Sequence, residues 1–146
     1  MTVAAALAHN RALRGLSRAE LDAVAFAFCD GRYYDGHVFI DIGTPGRAIH
    51  VVVEGEVSVV VREREVVRLG PGALFGLLAL VDGAPSSATV LARGTARVGV
   101  LSGTAFQLLE NTYAPVGRAF RLALGEQVAA DFRRLVYQTR DALDYR

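Results

Sequence analysis

Glycines divide the middle of this chain into short segments with strong β propensity. They stand at positions 36, 43, 46, 55, 70, 72, 76 and 83, and the segments between them are rich in Val, Ile, Phe and Tyr. Closely spaced turns between such segments are typical of antiparallel barrels and jelly rolls. We therefore predict strands at residues 32–34, 38–42, 48–53, 56–61, 66–69, 88–92 and 96–101.

Helical patterns flank this β region on both sides. Residues 2–15 are rich in alanine, and Ser17 and Glu20 form a capping-box pattern ahead of a second helix at residues 18–28. Ser102 or Thr104 is placed to cap a short helix at 105–111, and Pro115 suits the first turn of a long helix at 115–143. The predicted fold is α+β, mainly β: a double-stranded β-helix (jelly-roll) barrel flanked by N-terminal helices and a long C-terminal helix.

The length of 146 residues is typical of one domain with its own core. Within it we expect N-terminal helices at 1–31, a β-roll at 32–101 with a glycine-rich cassette at 70–90, and C-terminal helices at 102–146.

An apolar stripe follows the long C-terminal helix at intervals of three to four residues. Such a stripe contacts either the core or a partner. A helix of nearly thirty residues extends beyond the support that a small β domain offers, so we predict a homodimer. The residues predicted to form the dimer helix are Phe120, Leu124, Val128, Phe132 and Leu135.

Composition excludes several classes of protein. The net charge is +1, so no strong field attracts nucleic acid or an anionic membrane. All 16 basic residues are arginine, which indicates a GC-rich bacterial genome. There is no apolar run of the roughly 18–20 residues that a membrane span needs, and no basic region that would begin a signal peptide. We therefore expect a cytoplasmic, bacterial protein without a membrane partner or direct nucleic-acid binding.

The single cysteine and the three histidines argue against a metal centre. Cys29 alone excludes a disulfide within the chain, and its apolar surroundings predict a buried free thiol in a helix. His37 and His50 lack the His-x-His spacing of a barrel metalloenzyme, and His50 in an apolar strand is expected to be a hydrogen-bonded core or pocket residue. No Gly-x-Ser-x-Gly motif is present. We predict no metal, no catalytic residue and no enzyme.

The order of the glycine motifs resembles that of a known family. Tyr34, Asp35 and Gly36 begin the β-roll, residues 48–57 form a strand–glycine–strand hairpin, and residues 69–72 lead into Phe75 and Gly76. This order is similar to the cyclic nucleotide-binding domain, which occurs in bacterial catabolite activator-type regulators, protein kinase A regulatory subunits and gated channels. The resemblance implies a regulatory, ligand-sensing module in which a ligand in the cassette repositions the long helix.

The cassette departs from the family pattern at two charged positions. The family reads Phe-Gly-Glu-[aliphatic]-Ala-Leu, and after a loop Pro-Arg-[Ala/Ser]-Ala-[Thr/Ser]-Val. Here Leu77 stands in the position of the glutamate that accepts the ribose hydroxyl, and Ser86 in that of the arginine that pairs with phosphate. A charge-assisted hydrogen bond is worth roughly 1.5–3 kcal/mol, so losing both contacts lowers affinity on the order of 10²- to 10⁴-fold. We expect weak or altered nucleotide binding.

The resemblance implies which residues surround the ligand, which is a cyclic nucleotide, another small anion or a neutral polar molecule. No obligate cofactor is indicated. Arg47, Arg68 or Arg93 is a candidate for the substitute charge. The implied ligand-binding residues are Phe75, Gly76, Leu77, Leu78, Ala79, Ser86, Ser87, Ala88 and Thr89, with Gln127 and Asp131 as a lid.

Two other hypotheses stay open at this point. In the first, the cassette is degenerate and ligand-free, and the domain serves as a scaffold for dimerisation or for docking a protein partner. In the second, the barrel is an enzyme that holds a metal. Separately, haem sensing occurs among relatives of the family that this chain resembles, so a haem-binding histidine is also conceivable.

Overall fold

A computed structural model describes residues 1–77 and 85–144; from residue 131 onward it describes the backbone alone. The helices are α1 (Val3–Ala8), a 3₁₀ helix (Arg11–Leu13), α2 (Arg18–Phe26), α3 (Gly103–Thr112) and α4 (Ala114–Asp144). The strands are β1 (Cys29–Tyr33), β2 (Val38–Ile40), β3 (Ala48–Val61), β4 (Arg64–Leu69), β5 (Leu74–Phe75) and β6 (Thr89–Ser102).

Short polar side chains begin the helices, as the sequence predicts. Ser17 and Glu20 form a complete capping box on α2: the Ser17 hydroxyl accepts from the Glu20 N–H at 3.2 Å, and the Glu20 carboxylate accepts from the Ser17 N–H at 2.9 Å. Ser102 caps α3 by accepting from the Ala105 N–H. Each cap satisfies a backbone donor that has no partner within the helix.

All strand pairs in the six-stranded sheet are antiparallel. The order is β1-β6-β3-β4, with β2 also paired to β6 and β5 also paired to β3. With its flanking helices the sheet has the jelly-roll architecture of the prediction, which is confirmed.

The predicted boundaries are wrong for the two longest strands, β3 and β6. Each was expected as two shorter strands. The strand β3 continues through Gly55, where its register with β6 shifts. Gly55 has a φ of +79°, and a Cβ there would lie 2.6 Å from the Thr95 carbonyl oxygen. The glycine therefore bends the strand without ending it.

The loop between β3 and β4 is shorter than the four residues left between the strands predicted at 56–61 and 66–69. Only Arg62 and Glu63 form the turn, both with positive φ, and Glu65 already lies in β4. Glu65 accepts from the Ser58 hydroxyl at 2.6 Å and from Arg68 at 3.0 Å. The Glu65 carboxylate therefore accepts a hydrogen bond from a buried serine and is more than a solvated surface charge.

Alternation along β3 gives the sheet two apolar faces. On one face Ile49, Val51 and Val53 pack against the helices, in a core that includes Leu7, Val24, Phe28, Leu101, Phe106 and Phe120. On the other face Val52 and Val57 pack inside the roll with Ile40, Phe75, Val90, Ala92, Ala96 and Val98. We call the first set the helix-side core and the second the interior core.

The prediction that Cys29 is buried in a helix is wrong. The helix α2 ends at Phe26, and Cys29 begins β1, where it pairs with Val100 and its side chain is exposed. Phe28 is buried in its place and packs edge-on to Phe120 at 6.5 Å between ring centroids. The apolar period continues to Phe28, but the chain leaves the helix before that residue.

The long helix α4 forms near its predicted bounds, but its stripe has a different role from the predicted one. Phe120 is 0% exposed and Leu124 is 7% exposed, both inside the helix-side core, and Val128 packs against that core. These residues therefore stabilise the monomer and do not form a free dimer face. Phe132 and Leu135 lie where side chains are not described.

Candidate ligand site

The first wall of the cassette is held against β3 by main-chain pairing. In the register of β5 with β3, Phe75 lies opposite His50 and Leu74 opposite Val51. Gly76 follows with a φ of +83°, and a Cβ at this position would meet the Ala48 carbonyl oxygen at 2.7 Å. Only glycine fits this turn without strain. The predicted Phe75-Gly76 corner is thus a close approach of two backbone segments.

The second wall is held by the loop that precedes β3. Pro45 and Pro85 form a β-bridge, the Gly43 N–H donates to the Ser86 carbonyl at 2.8 Å, and the Ser86 N–H donates to the Thr44 carbonyl at 2.9 Å. These bonds fix the start of the predicted binding segment at residues 86–89.

Two of the three hydroxyls predicted to bind a ligand already have protein partners. The Ser86 hydroxyl donates to the Ala88 carbonyl at 2.7 Å and accepts from the Ala88 N–H at 3.2 Å. The Thr89 hydroxyl accepts from the Ile42 N–H at 3.1 Å and lies 3.4 Å from an Asp41 carboxylate oxygen. Ser87, between them, is exposed. A ligand must therefore compete with internal bonds at Ser86 and Thr89.

Leu77 points away from the interior core. Its side chain is 6% exposed and belongs to the helix-side core, on the same side as Leu74, whereas Phe75 belongs to the interior core. The side chain that replaces the family's glutamate therefore fills the space beneath the helices. Leu78 and Ala79 lie outside the described residues.

Of the two predicted lid residues, the structure describes the side chain of one. Gln127 is half-buried on α4 and has an interaction partner. Asp131 lies where side chains are not described. The lid remains a prediction.

Two of the candidate substitute arginines are engaged elsewhere. Arg68 forms an ion pair with Glu65 at 3.0 Å, and Arg93 approaches the same carboxylate at 3.9 Å. Arg47 is exposed two residues after Pro45, beside the bridge to Pro85. Of the three arginines, Arg47 is the one whose chain segment adjoins the second wall.

A chain of aromatic rings runs from the interior core to the surface. His50 stacks on Phe75 with a centroid distance of 4.6 Å and an interplanar angle of 6°, and Phe39 meets both rings edge-on. Tyr33 and His37 continue the contacts outward from Phe39, at 4.8 and 4.9 Å. We call these five residues the aromatic cluster.

His50 is the polar member of this cluster that lies deepest. It is 6% exposed, and its Nδ1 atom has no hydrogen-bond partner among the described residues. A Cβ at Gly76 would lie 3.2 Å from that nitrogen. The expectation of a hydrogen-bonded core histidine is confirmed by this burial and by a hydrogen bond with the Phe75 backbone, and Nδ1 is the ring atom left without a partner among the described residues.

Burial controls the protonation of His50. Desolvation lowers the pKa of the imidazole from 6.5 to about 4, and a hydrogen bond with the Phe75 backbone acts in the opposite direction. The ring is therefore neutral at pH 7, with one nitrogen that accepts a hydrogen bond and one that donates.

Within the part of the chain that the structure describes, no three His, Cys, Asp or Glu side chains gather as a metal site would require. In the same residues, no helix is long and apolar enough to cross a membrane.

A sequence model of the cyclic nucleotide-binding domain matches residues 31–113, which is more than half of the chain. The chain belongs to the cyclic nucleotide-binding domain family. The matched region contains the sheet, the described part of the cassette and α3.

Two curated relatives carry similar segments. The chain is 43% identical over 86 residues to the cyclic nucleotide-gated potassium channel mll3241 of Mesorhizobium japonicum, covering 59% of this chain and 24% of the channel. It is 32% identical over 97 residues to a cAMP-dependent protein kinase regulatory subunit of Hypocrea atroviridis, covering 66% of this chain and 21% of that protein. The chain thus aligns with about a quarter or less of each relative.

Solved structures share the fold. A cyclic nucleotide-binding domain from Methylobacillus flagellatus superposes with a TM-score of 0.79 at 21% identity, over 90% of this chain and 77% of that one. The catabolite activator protein of Thermus thermophilus gives a TM-score of 0.71 at 24% identity, over 88% and 62% of the two chains. At these identities the likeness concerns the fold alone.

Sequence reasoning missed the aromatic cluster of this family member. Its residues come from β1, the β1–β2 turn, β2, β3 and β5, so no sequence spacing joins them. The available signal was a single polar residue, His50, in the apolar run of β3.

Proposed function

We propose that this domain is a regulatory, ligand-sensing module in which the two charged contacts of a cyclic nucleotide have been replaced. The observation that carries the proposal is the cassette itself: the Gly76 corner and the Pro45–Pro85 bridge keep its backbone frame, whereas Leu77 is buried in the helix-side core and Ser86 bonds within its own turn. These features support a site that keeps the backbone of the family's cassette without its two charged contacts.

The chemistry of the remaining groups favours a ligand of low charge. Near the cassette the fold offers backbone N–H groups and the exposed Ser87 hydroxyl. A phosphate without an arginine partner retains only neutral hydrogen bonds, each worth roughly 1 kcal/mol net. Cyclic nucleotides are therefore expected to bind weakly, and neutral polar molecules to compete with them.

A scaffold role is the second candidate function. It is favoured by the satisfied hydroxyls of Ser86 and Thr89 and by the burial of Leu77, which leave few polar groups free for a ligand. In that case the domain serves dimerisation or docking of a protein partner. Neither role involves catalysis, and both suit a cytoplasmic homodimer.

A thermal-shift panel distinguishes these two roles. The purified chain is heated with cyclic AMP, cyclic GMP, adenosine or guanosine at millimolar concentration. A ligand at 100 times its dissociation constant stabilises the fold by about 2.7 kcal/mol, which is a shift of several degrees. A saturable shift with one compound supports the sensor, and no shift with any of them supports the scaffold.

Two variants of Ser87 make the panel specific. Ser87→Trp puts a bulky ring at the exposed position of the second wall and should abolish a ligand-induced shift without lowering the melting temperature of the free protein. Ser87→Ala removes the hydroxyl alone and is its matched control. A shift that persists in Ser87→Trp would place the ligand outside the cassette.

A further inference from the structure

The strand β1 differs from the other edge strands of the sheet because its pairing is regular. Among the described residues it pairs with β6 alone, and its five residues keep one register with β6 throughout. The other strands with a single described partner are protected: β2 and β5 are three and two residues long, and β4 has a shift of register against β3. Proteins blunt exposed sheet edges by shortness, bulges and charge, so β1 is the edge that least opposes the addition of a strand.

The outer main chain of β1 is available for pairing. In an antiparallel strand every second residue directs its N–H and C=O groups away from the neighbouring strand. In the described part of the chain, no backbone hydrogen bond of the loops and turns uses residues 29–33. The strand contains no proline, and Cys29, Asp30 and Arg32 are exposed. An added strand therefore finds unpaired donors and acceptors along this edge.

A second copy of β1 complements the first in charge. Antiparallel pairing about a two-fold axis at Gly31 sets Asp30 of each copy opposite Arg32 of the other, because both positions are one residue from the axis. Asp30 binds Arg97 of its own chain, yet its side chain is still 38% exposed. Arg32 is exposed and forms no ion pair within the described residues. Opposite charges that face each other across two strands stabilise the pairing.

The two ends of β1 carry exposed aromatic rings. Phe26 lies just before the strand and is 93% exposed, and Tyr34 lies just after it and is 70% exposed. Because antiparallel pairing reverses one copy, Tyr34 of one copy comes to the end of the strand at which Phe26 of the other lies. The net charge of +1 opposes association of two copies only slightly. Self-pairing thus adds apolar contacts at both ends of the charged centre.

We propose that β1 is a self-association edge, on which a second copy of this chain adds its own β1 in antiparallel orientation about Gly31. The two sheets then continue into each other. Each copy uses its β1 edge once, so the two-fold axis closes the assembly as a dimer. This interface is separate from α4 and needs no ligand, so the inference does not depend on the proposed function.

Charge variants measured by sedimentation equilibrium test this edge. The wild-type chain should form a dimer at millimolar concentration. Arg32→Glu sets like charges opposite each other at two symmetric positions and should raise the dissociation constant of the dimer by about tenfold or more. Arg64→Glu makes the same change on β4, a different edge strand, and should leave that constant unchanged. Circular dichroism should show both variants folded, because neither arginine has an ion-pair partner among the described residues.

The native thiol reports the register of the pairing. About Gly31, Cys29 of one copy lies opposite Tyr33 of the other, with Cα atoms about 4.5–5.5 Å apart, which suits a disulfide. Tyr33→Cys should therefore give a covalent dimer when dissolved oxygen oxidises the thiols. Within one chain the two positions are about 13 Å apart along the strand, too far to bond. Tyr34→Cys moves the new thiol out of register and should give no covalent dimer, and Cys29→Ser added to Tyr33→Cys should abolish the cross-link.

Four results would overturn the proposal. The first is a wild-type chain that stays monomeric up to millimolar concentration. The second is a dimer that persists in Arg32→Glu and dissociates in Leu122→Arg, since that dimer is built on α4. The third is a dimer that dissociates in Arg64→Glu, which would belong to the edge of β4. The fourth is a covalent dimer of the wild type through Cys29, which would contradict the register about Gly31.

Discussion

At the scale of single residues, His50 is unusual because a polar ring is packed among aromatic and aliphatic side chains. Its neighbours were predictable as β-prone apolar residues, because alternation marks β3 clearly. That its Nδ1 atom has no partner among the described residues was not predictable, since this depends on Phe39 and Phe75, which the fold brings from other strands. Sequence reasoning finds a buried position more readily than it finds what surrounds it.

The lowered pKa of His50 predicts a pH-dependent stability. The folded ring titrates at about 4 and the unfolded ring at 6.5, so between these values the unfolded chain binds more protons. Stability from this group is therefore complete above pH 6.5 and falls as the pH drops towards 4. Between pH 7.5 and 5 the loss is about 2 kcal/mol.

Urea unfolding at pH 7.5 and at pH 5 measures this loss. The lowered pKa values of Glu20, Glu54, Glu65 and Glu110 act in the same direction at lower pH, so the comparison is made against His50→Phe, which retains all four carboxylates. The wild type should lose about 2 kcal/mol more than the variant. Equal losses in both proteins would mean that His50 is not buried in its neutral form.

At the scale of elements, the glycines of the long strands were predicted correctly as positions of special backbone and wrongly as strand ends. A glycine in a β-prone segment indicates either a turn or a bend, and the sequence does not distinguish the two. The difference lies in pairing: β3 keeps its partner β6 on both sides of Gly55, with a shift of register between them.

Two glycine variants test this interpretation. Gly55→Ala puts a methyl group 2.6 Å from the Thr95 carbonyl oxygen at a φ of +79°, so both strain and a backbone clash oppose it. We expect a loss of more than about 2 kcal/mol in the free energy of unfolding. Gly94→Ala, at a φ of +67° with open space around the new methyl, is the control and should cost about 1 kcal/mol. Similar costs in both variants would show that the clash at Gly55 is relieved by backbone movement.

The helix α4 illustrates what periodicity leaves undecided. Its stripe was found correctly, but an apolar stripe looks the same whether it faces the domain's own core or another chain. The described part of α4 has an exposed line on another side, formed by Arg118, Leu122, Gly125 and Ala129, in which Leu122 is 68% exposed. A dimer built on this helix would use that line.

Substitutions on the two faces of α4 should separate its two roles. If the chain is a homodimer through α4, Leu122→Arg should convert it to a monomer in sedimentation experiments while preserving the melting temperature of the fold. Phe120→Ala should instead lower stability by about 3–5 kcal/mol, because it empties a fully buried position. A Leu122→Arg variant that sediments as a dimer would exclude this face of the helix.

At the scale of the whole molecule, the fold can be predicted from the sequence more completely than the site. The jelly roll follows from alternation, glycines and caps that repeat over most of the chain, so errors at single boundaries do not change the architecture. The site depends on a few side chains whose partners are distant in sequence, such as Thr89 with Asp41 and Ser86 with the turn beside it. Leu77 was expected among the ligand-binding residues, and it packs in the helix-side core together with Leu74.

We propose that this member of the family keeps the backbone of the cassette and lacks its charged contacts for phosphate. The direct test restores that charge at Ser86 and measures cyclic AMP affinity by calorimetry, with Ser87→Arg as a control that adds the same charge at the exposed neighbouring position. An arginine–phosphate contact is worth roughly 1.5–3 kcal/mol, so Ser86→Arg should bind cyclic AMP about 10- to 100-fold more tightly than the wild type, and Ser87→Arg should not. A wild type that already binds cyclic AMP at low micromolar concentration, or a Ser86→Arg variant without any gain over it, would contradict the account.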